Sequence, residues 1–261
     1  MNVMNTADAG ALGTAGAAPM AAVMTGPGAA VKKERKHRTP IAERDLVPYT
    51  RGEEICNMVT HIVGAVLAVA VLVLCVVKAA SHGNVWGVVT GAVFGASMLL
   101  VYVISSVYHG LSPEGAGYAK RVMQVLDHCD IYGLILGTYT PVALVGLREV
   151  HPVIAWVSWG IVAGVGLLGM VFTAIDYKMF MGLSYSTYFV SGWSVILSSY
   201  FLYQAYGLPL ILWLVIGGAV YSLGMITFVL QQKHKYCHSI FHLFILGGSI
   251  LHFVGIYLYC M

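Results

Sequence analysis

The chain has 261 residues, of which 59% are hydrophobic and 10% charged, with 14 Lys+Arg against 11 Asp+Glu. A soluble domain carries about 25% charged residues, so this chain lacks the polar surface to cover itself in water and reads as a membrane protein. The positive excess sits in the N-terminal part and in short loops, which argues against nucleic acid as a partner and for orientation in a bilayer.

In chain order, residues 1–31 are rich in Ala, Gly, Met and Thr and lead into the basic run Lys32-Lys33-Glu34-Arg35-Lys36-His37-Arg38. A secretory signal would place its basic residues ahead of an unbroken apolar core, and here that order is reversed. The composition predicts a disordered basic cytoplasmic tail over 1–49, with the polar stretch 39–54 approaching the bilayer interface, and a membrane domain over 50–261. Charge-poor stretches of about 20 residues follow, the length of helix that crosses about 30 Å of hydrocarbon. They predict spans at 57–79, 85–109, 127–147, 152–175, 182–203, 208–230 and 238–260. Residues 179–232 contain no charge, and their one break, Gln204-Ala205-Tyr206-Gly207-Leu208-Pro209, predicts two helices joined by a tight turn. The expected fold is all-α, a seven-transmembrane helix bundle, because helices satisfy their backbone polar groups inside lipid.

With the N-terminus inside, twelve Lys and Arg fall on the cytoplasmic side and only Lys78 and Arg148 on the other. That asymmetry predicts a cytoplasmic N-terminus and an extracellular C-terminus. The ladder Gly87, Gly91, Gly95 and the pair Gly160, Gly164 are expected to let helices approach closely. The five cysteines, Cys56, Cys75, Cys129, Cys237 and Cys260, are scattered and indicate neither a disulfide framework nor a cysteine zinc module.

Ionisable residues in or at the ends of spans need a reason, since each costs a few kcal/mol near the bilayer centre. Five places stand out: Glu53-Glu54 with Asn57, Thr60 and His61; Ser105-Ser106-Val107-Tyr108-His109; Asp127-His128-Cys129-Asp130; His238-Ser239-Ile240-Phe241-His242; and His252 alone. The predicted topology brings the first four to the same cytoplasmic depth. His238 and His242 share one helical face about 6 Å apart and can reach one metal ion. His109 would add a third nitrogen and leave a position open for water, as in catalytic zinc sites. Asp127 is then the candidate to accept the water's proton, and Ser105 lies one turn from His109 on the same face. Taken singly, each histidine reads first as a helix cap or a carbonyl partner.

His252 is about 15 Å along a straight helix from His242 and cannot share that shell, so it is assigned a hydrogen bond in the bundle or a substrate contact. His61 stands at the right depth to supplement a ligand. Glu54, Asn57 and His61 also read as a bracket fixing the first helix against the second and seventh. His128, Asp130 and Asp176 read as interfacial groups or as groups that orient ligands. His37, His82, His151 and His234 fall in tails or loops. Trp86, Trp156 and Trp193 read as interfacial anchors.

These motifs, with Gly137-Thr138-Tyr139-Thr140-Pro141 and His252-Phe253, resemble the hemolysin III family over about 50–260. That family is the bacterial branch of the progestin and adipoQ receptor superfamily and is related to adiponectin receptors and alkaline ceramidases. The resemblance implies zinc held by His109, His238 and His242, with Asp127 and Ser105 beside the metal-bound water, and a cytoplasmic N-terminus. It also implies a multi-pass plasma-membrane protein acting in membrane-lipid homeostasis. The leading expectation is a zinc-dependent hydrolase of a lipid-like amide or ester drawn from the membrane lipids. A sensor or receptor of membrane state with structural zinc, and a cytolytic membrane protein, are the alternatives. Proton or ion transport would need a run of acidic residues through the spans, which is missing.

Overall fold

The computed structural model describes residues 37–261, so the predicted tail up to residue 36 lies outside the described residues. The described chain contains α1 (Arg51–Ser81), α2 (Val85–Gly110), α3 (Pro113–Pro141), α4 (Pro152–Asp176), α5 (Met181–Trp193), α6 (Val195–Leu230) and α7 (Cys237–Tyr259). A π-helical turn, Val142–Leu147, extends α3 past Pro141. No strand occurs among the described residues. Six helical stretches are long and apolar enough to cross a membrane, with 181–230 counted as one.

Local chemistry sets the boundaries. Thr50 and Glu53 form a capping box at the start of α1, each side chain receiving the other's backbone N–H. Asn84 caps α2 through Gly87 N at 2.7 Å. Ser112 caps α3, with Pro113 in the first turn where its missing N–H does no harm. This start is fourteen residues ahead of the predicted 127, because a turn bent at Ala116 (φ −130°, ψ 32°) carries the helix through polar sequence.

The stretch 181–230 reverses direction at Gly207. A straight helix would put Trp193 and Ser222, 29 residues apart, about 43 Å from one another. Instead Trp193 Nε1 donates to Ser222 Oγ at 3.0 Å, and the rings of Tyr185 and Phe228 lie 5.9 Å apart. Gly207 (φ 70°, ψ −167°) adopts a backbone conformation open to glycine, and Pro209 restarts the helix.

The helices form a ring in which α1 packs on α2 and α7, α2 on α3, α3 on α4, and α6 on α7. Their faces are sorted opposite to those of a soluble protein. The inward stripe of α1 is Glu53, Asn57, His61, Gly64, Ala68, Val71, Cys75 and Ala79, whereas Val59, Val63, Val66 and Val73 face outward. Apolar bulk therefore meets lipid, and small or polar residues meet neighbouring helices.

Gly95 is where α1 and α2 come closest, since a Cβ there would stand 2.5 Å from Leu72 Cα. Gly87 and Gly91 are similarly crowded. The sequence expectation for Gly160 and Gly164 is corrected: a Cβ at either meets nothing within 4 Å, because that face of α4 has no helix against it. Gly95→Ala is expected to destabilise the bundle by about 1–3 kcal/mol through overpacking, with Gly160→Ala neutral or slightly stabilising. Thermal unfolding of both variants in detergent measures the difference, and equal melting temperatures would contradict the assigned packing.

Candidate metal centre

The entry to α1 sets up the site. Glu53 Oε2 accepts from Thr50 N at 2.9 Å, and its Oε1 accepts from Tyr236 N at 2.8 Å. Tyr236 holds a left-handed conformation (φ 61°), uncommon for a residue with a Cβ. This clamp ties the start of α1 to the turn before α7, two residues ahead of His238.

The next residue of α1, Glu54, joins three helices. Its Oε2 accepts from His109 Nδ1 of α2 at 2.6 Å, and its Oε1 meets Lys120 Nζ of α3 at 2.6 Å. Lys120 is fully buried and also donates to Leu111 O at 2.8 Å. Asn57 follows, its Oδ1 accepting from Ser239 Oγ of α7 at 2.6 Å. His242 Nδ1 lies 3.3 Å from both Asn57 O and Thr60 Oγ1.

These contacts occupy the outer nitrogens of His109 and His242 and leave each Nε2 free to face inward. His109, His238 and His242 are all buried, and one ring nitrogen from each lies within 4.8 Å of the other two. His109 Nε2 and His238 Nε2 are 3.2 Å apart. Two nitrogens on a tetrahedral ion with bonds of 2.0–2.1 Å would stand about 3.3 Å apart, so the donor set fits a divalent metal such as zinc. A carboxylate holding the outer N–H of a ligand, as Glu54 holds His109, fixes the tautomer that leaves Nε2 to coordinate.

A cavity of about 40 Å³ adjoins the cluster, with His238, His242, His61, Asp127 and Ser105 in its wall. The first four predicted polar clusters thus meet at one end of the bundle. Both His61 nitrogens are buried without a partner, and its ring stands edge-on to His242 at 3.8 Å between centroids. Although its distance from the other nitrogens keeps it out of the coordinating set, it remains a wall of the cavity. His128 Nδ1 donates to Gln124 O at 2.7 Å, and the ring too lines the cavity. Both carboxylate oxygens of Asp130 are buried without a partner. His252 sits apart from the cluster.

Asp176, at the end of α4, holds backbone. Its Oδ2 accepts from Thr39 N at 2.8 Å, anchoring a strap of residues 37–50 across this end of the bundle. Arg44 donates to Thr39 O, Ala174 O and Ile175 O, and Arg121 Nε donates to Arg44 O at 2.7 Å. Residues 37–49, expected as the end of a disordered tail, therefore follow a fixed course, because these hydrogen bonds offset the entropy of ordering them. The strap ends at Tyr49, whose ring lies 5.6 Å from His109 and 5.1 Å from His238. Its hydroxyl donates to Gln231 Oε1 at 2.6 Å, and burial holds the phenol well above its ordinary pKa.

Tyr49, Lys120 and Gln231 escape a sequence reading. Lys120 looks like a loop charge, and only the span between Glu54 and a lysine in polar sequence hints at a pair. Nothing distinguishes Tyr49 from the many other tyrosines. Glu54→Gln is expected to retain the metal site but to weaken it 10–100-fold, the usual effect of losing a carboxylate behind a ligating histidine. Metal retention during chelator titration measures this, and an unchanged midpoint would contradict the role given to Glu54.

A family model described as "Haemolysin-III related" matches residues 49–253. Hemolysin-3 homolog of Bacillus subtilis is 36% identical over 213 residues, covering 82% of this chain and 97% of the relative. Hemolysin-3 of Bacillus cereus is 34% identical over 212 residues, covering 80% and 92%. A more distant relative, monocyte to macrophage differentiation factor of Homo sapiens, is 25% identical over 233 residues, covering 85% and 90%. With the matched region spanning all of α1 to α6 and both histidines of α7's first turns, the chain belongs to the haemolysin-III related family of helical membrane proteins.

Proposed function

We propose that the protein is a zinc-dependent hydrolase of lipid-like amides or esters, crossing the plasma membrane seven times with its N-terminus in the cytoplasm. The reversal at Gly207 supports two crossings within 181–230, and the distribution of Lys and Arg supports the orientation. The observation that carries the chemistry is the convergence of His109, His238 and His242 beside a cavity that Asp127 and Ser105 also line.

When bound, a zinc ion supplies Lewis acidity and brings the pKa of water toward neutrality. The chain's own residues do the rest. Asp127 accepts a proton from the attacking water as its oxygen bonds the carbonyl carbon, then returns that proton to the leaving amine or alcohol as the C–N or C–O bond breaks. The Ser105 hydroxyl donates to the oxyanion as it forms. Tyr49 closes the cytoplasmic end against bulk water, which strengthens both interactions.

The substrate class follows from a second, larger cavity of about 560 Å³ between α3, α5, α6 and α7. It shares Ile131, Leu134, Phe241 and Ile245 with the wall of the small cavity. Its volume is that of a ligand site, and its lining is predominantly apolar. Phe189, Ile226 and Val229 line it while remaining exposed on the outer face, so a lipid chain enters sideways from the bilayer. A second reading, a membrane-state sensor whose zinc only ties α2 to α7, is favoured by the cover that Tyr49 places over the histidines.

Elemental analysis of the purified protein is expected to find about one zinc per chain, lost in the variant with both His238→Ala and His242→Ala. Asp127→Asn is expected to keep the metal while hydrolysis of a fluorogenic N-acyl amide or acyl ester falls by about 10²–10⁴-fold. Zinc persisting in the double variant would remove the site. Unchanged turnover in Asp127→Asn would remove the base, and stoichiometric zinc without turnover in the parent would favour the sensor.

A further inference from the structure

His252 lines the large apolar cavity ten residues beyond His242, about 15 Å further along α7. It is only 8% exposed, and its ring is wedged in place. A Cβ on Gly217 would stand 2.8 Å from its Nε2, so only the missing side chain there makes room for the imidazole. On another side the Tyr221 ring stacks on it, 5.2 Å between centroids at 29°.

The polar neighbours of His252 are already engaged with one another. Tyr102 OH donates to Ser249 Oγ at 2.7 Å, and Tyr221 OH lies 2.8 Å from the same oxygen. His252 Nδ1 is buried and has no hydrogen-bond partner. A polar atom left alone in an apolar interior is disfavoured, and native structures keep few of them without a reason. Here the histidine borders a cavity large enough to admit a ligand.

We propose that His252 is a specificity residue that hydrogen-bonds an uncharged hydroxyl on the ligand's apolar chain, about a dozen bonds from the group held at the metal centre. This deepens the lipid-hydrolase reading and rests on it. The two cavities have Ile131, Leu134, Phe241 and Ile245 in common along their walls, so an extended chain lying on this face of α7 would reach from His242 to His252. Extended chain covers about 1.2 Å per bond, which makes ~15 Å roughly a dozen bonds. A neutral imidazole offers one donor and one acceptor, matching a hydroxyl in either sense, whereas a charged group would be expelled from so apolar a space.

Trp193, one of five tryptophans, also lines this cavity, so the part of the emission change that Trp193→Phe removes reports occupancy. The full-length protein in nanodiscs is titrated with octadecanoic acid, its 12-hydroxy derivative and its 7-hydroxy derivative. The 12-hydroxy acid is expected to bind about 5-fold more tightly than the parent acid, the return on one net hydrogen bond, with no gain for the 7-hydroxy acid. His252→Phe is expected to abolish the preference while still binding octadecanoic acid. The variant with both His238→Ala and His242→Ala is expected to keep the ratio even where absolute affinity falls. Equal affinities of the parent protein for all three acids would overturn the role of His252 and leave the lipid reading standing. Saturable binding of none of them would overturn both. Should His252→Phe fail to fold, the comparison of hydroxyl positions in the parent protein decides the matter alone.

Discussion

The carboxylate of Glu54 is the contact on which the candidate metal centre depends. It lies near the start of α1, yet its two oxygens reach His109 of α2 and Lys120 of α3, each at 2.6 Å. Lys120 is fully buried, so its ammonium has given up water and needs this partner. Without Lys120 the carboxylate would carry an unbalanced charge at the edge of an apolar bundle, and without Glu54 the His109 ring would lose the bond that aims its Nε2 inward. Glu53 and Asn57 on the same helix do comparable work for α7, through Tyr236 N and Ser239 Oγ. The histidines converge because one polar helix face holds both of the helices that carry them.

That face was legible in the sequence. Glu54, Asn57 and His61 recur at helical spacing in an otherwise apolar stretch, where lipid would tolerate none of them without a partner. The four polar clusters share one depth because alternate helices begin or end there, and the turn at Gly207 was marked by the Gly and Pro in an uncharged run. Other features were hidden because they rest on contacts between distant segments. The strap over 37–50 is polar and short, and composition alone says nothing of the carbonyls of Ala174 and Ile175 that hold Arg44. Lys120 reads as a loop lysine because the bent first turn of α3 has no apolar period. Gly160 and Gly164 show the converse error: spacing suited to close packing is present, but no helix lies against it.

The two cavities give the molecule a gradient of chemistry along α7. At one end, imidazoles, a carboxylate and a serine hydroxyl crowd about 40 Å³ under the ring of Tyr49. Beyond Phe241 and Ile245 the space widens to about 560 Å³ with walls of leucine, isoleucine, valine and aromatic side chains. Closure toward the strap and exposure of lining residues on the outer face are the two features on which the proposed entry of a ligand from lipid rests. The same arrangement explains why the polar groups can be held so tightly. In an apolar surround an unpaired donor or acceptor is expensive, so His109 and His242 are each fixed by a partner behind the ring, whereas His238 Nδ1 has none.

His109, His238 and His242 are proposed to bind one metal ion through their imidazole nitrogens. X-ray absorption at the zinc edge of the purified protein tests it directly. The expected spectrum shows about three imidazole nitrogens at 2.0–2.1 Å with one further oxygen and no sulfur. Thiolate scattering at about 2.3 Å, or a six-oxygen shell, would place the metal elsewhere and contradict the claim.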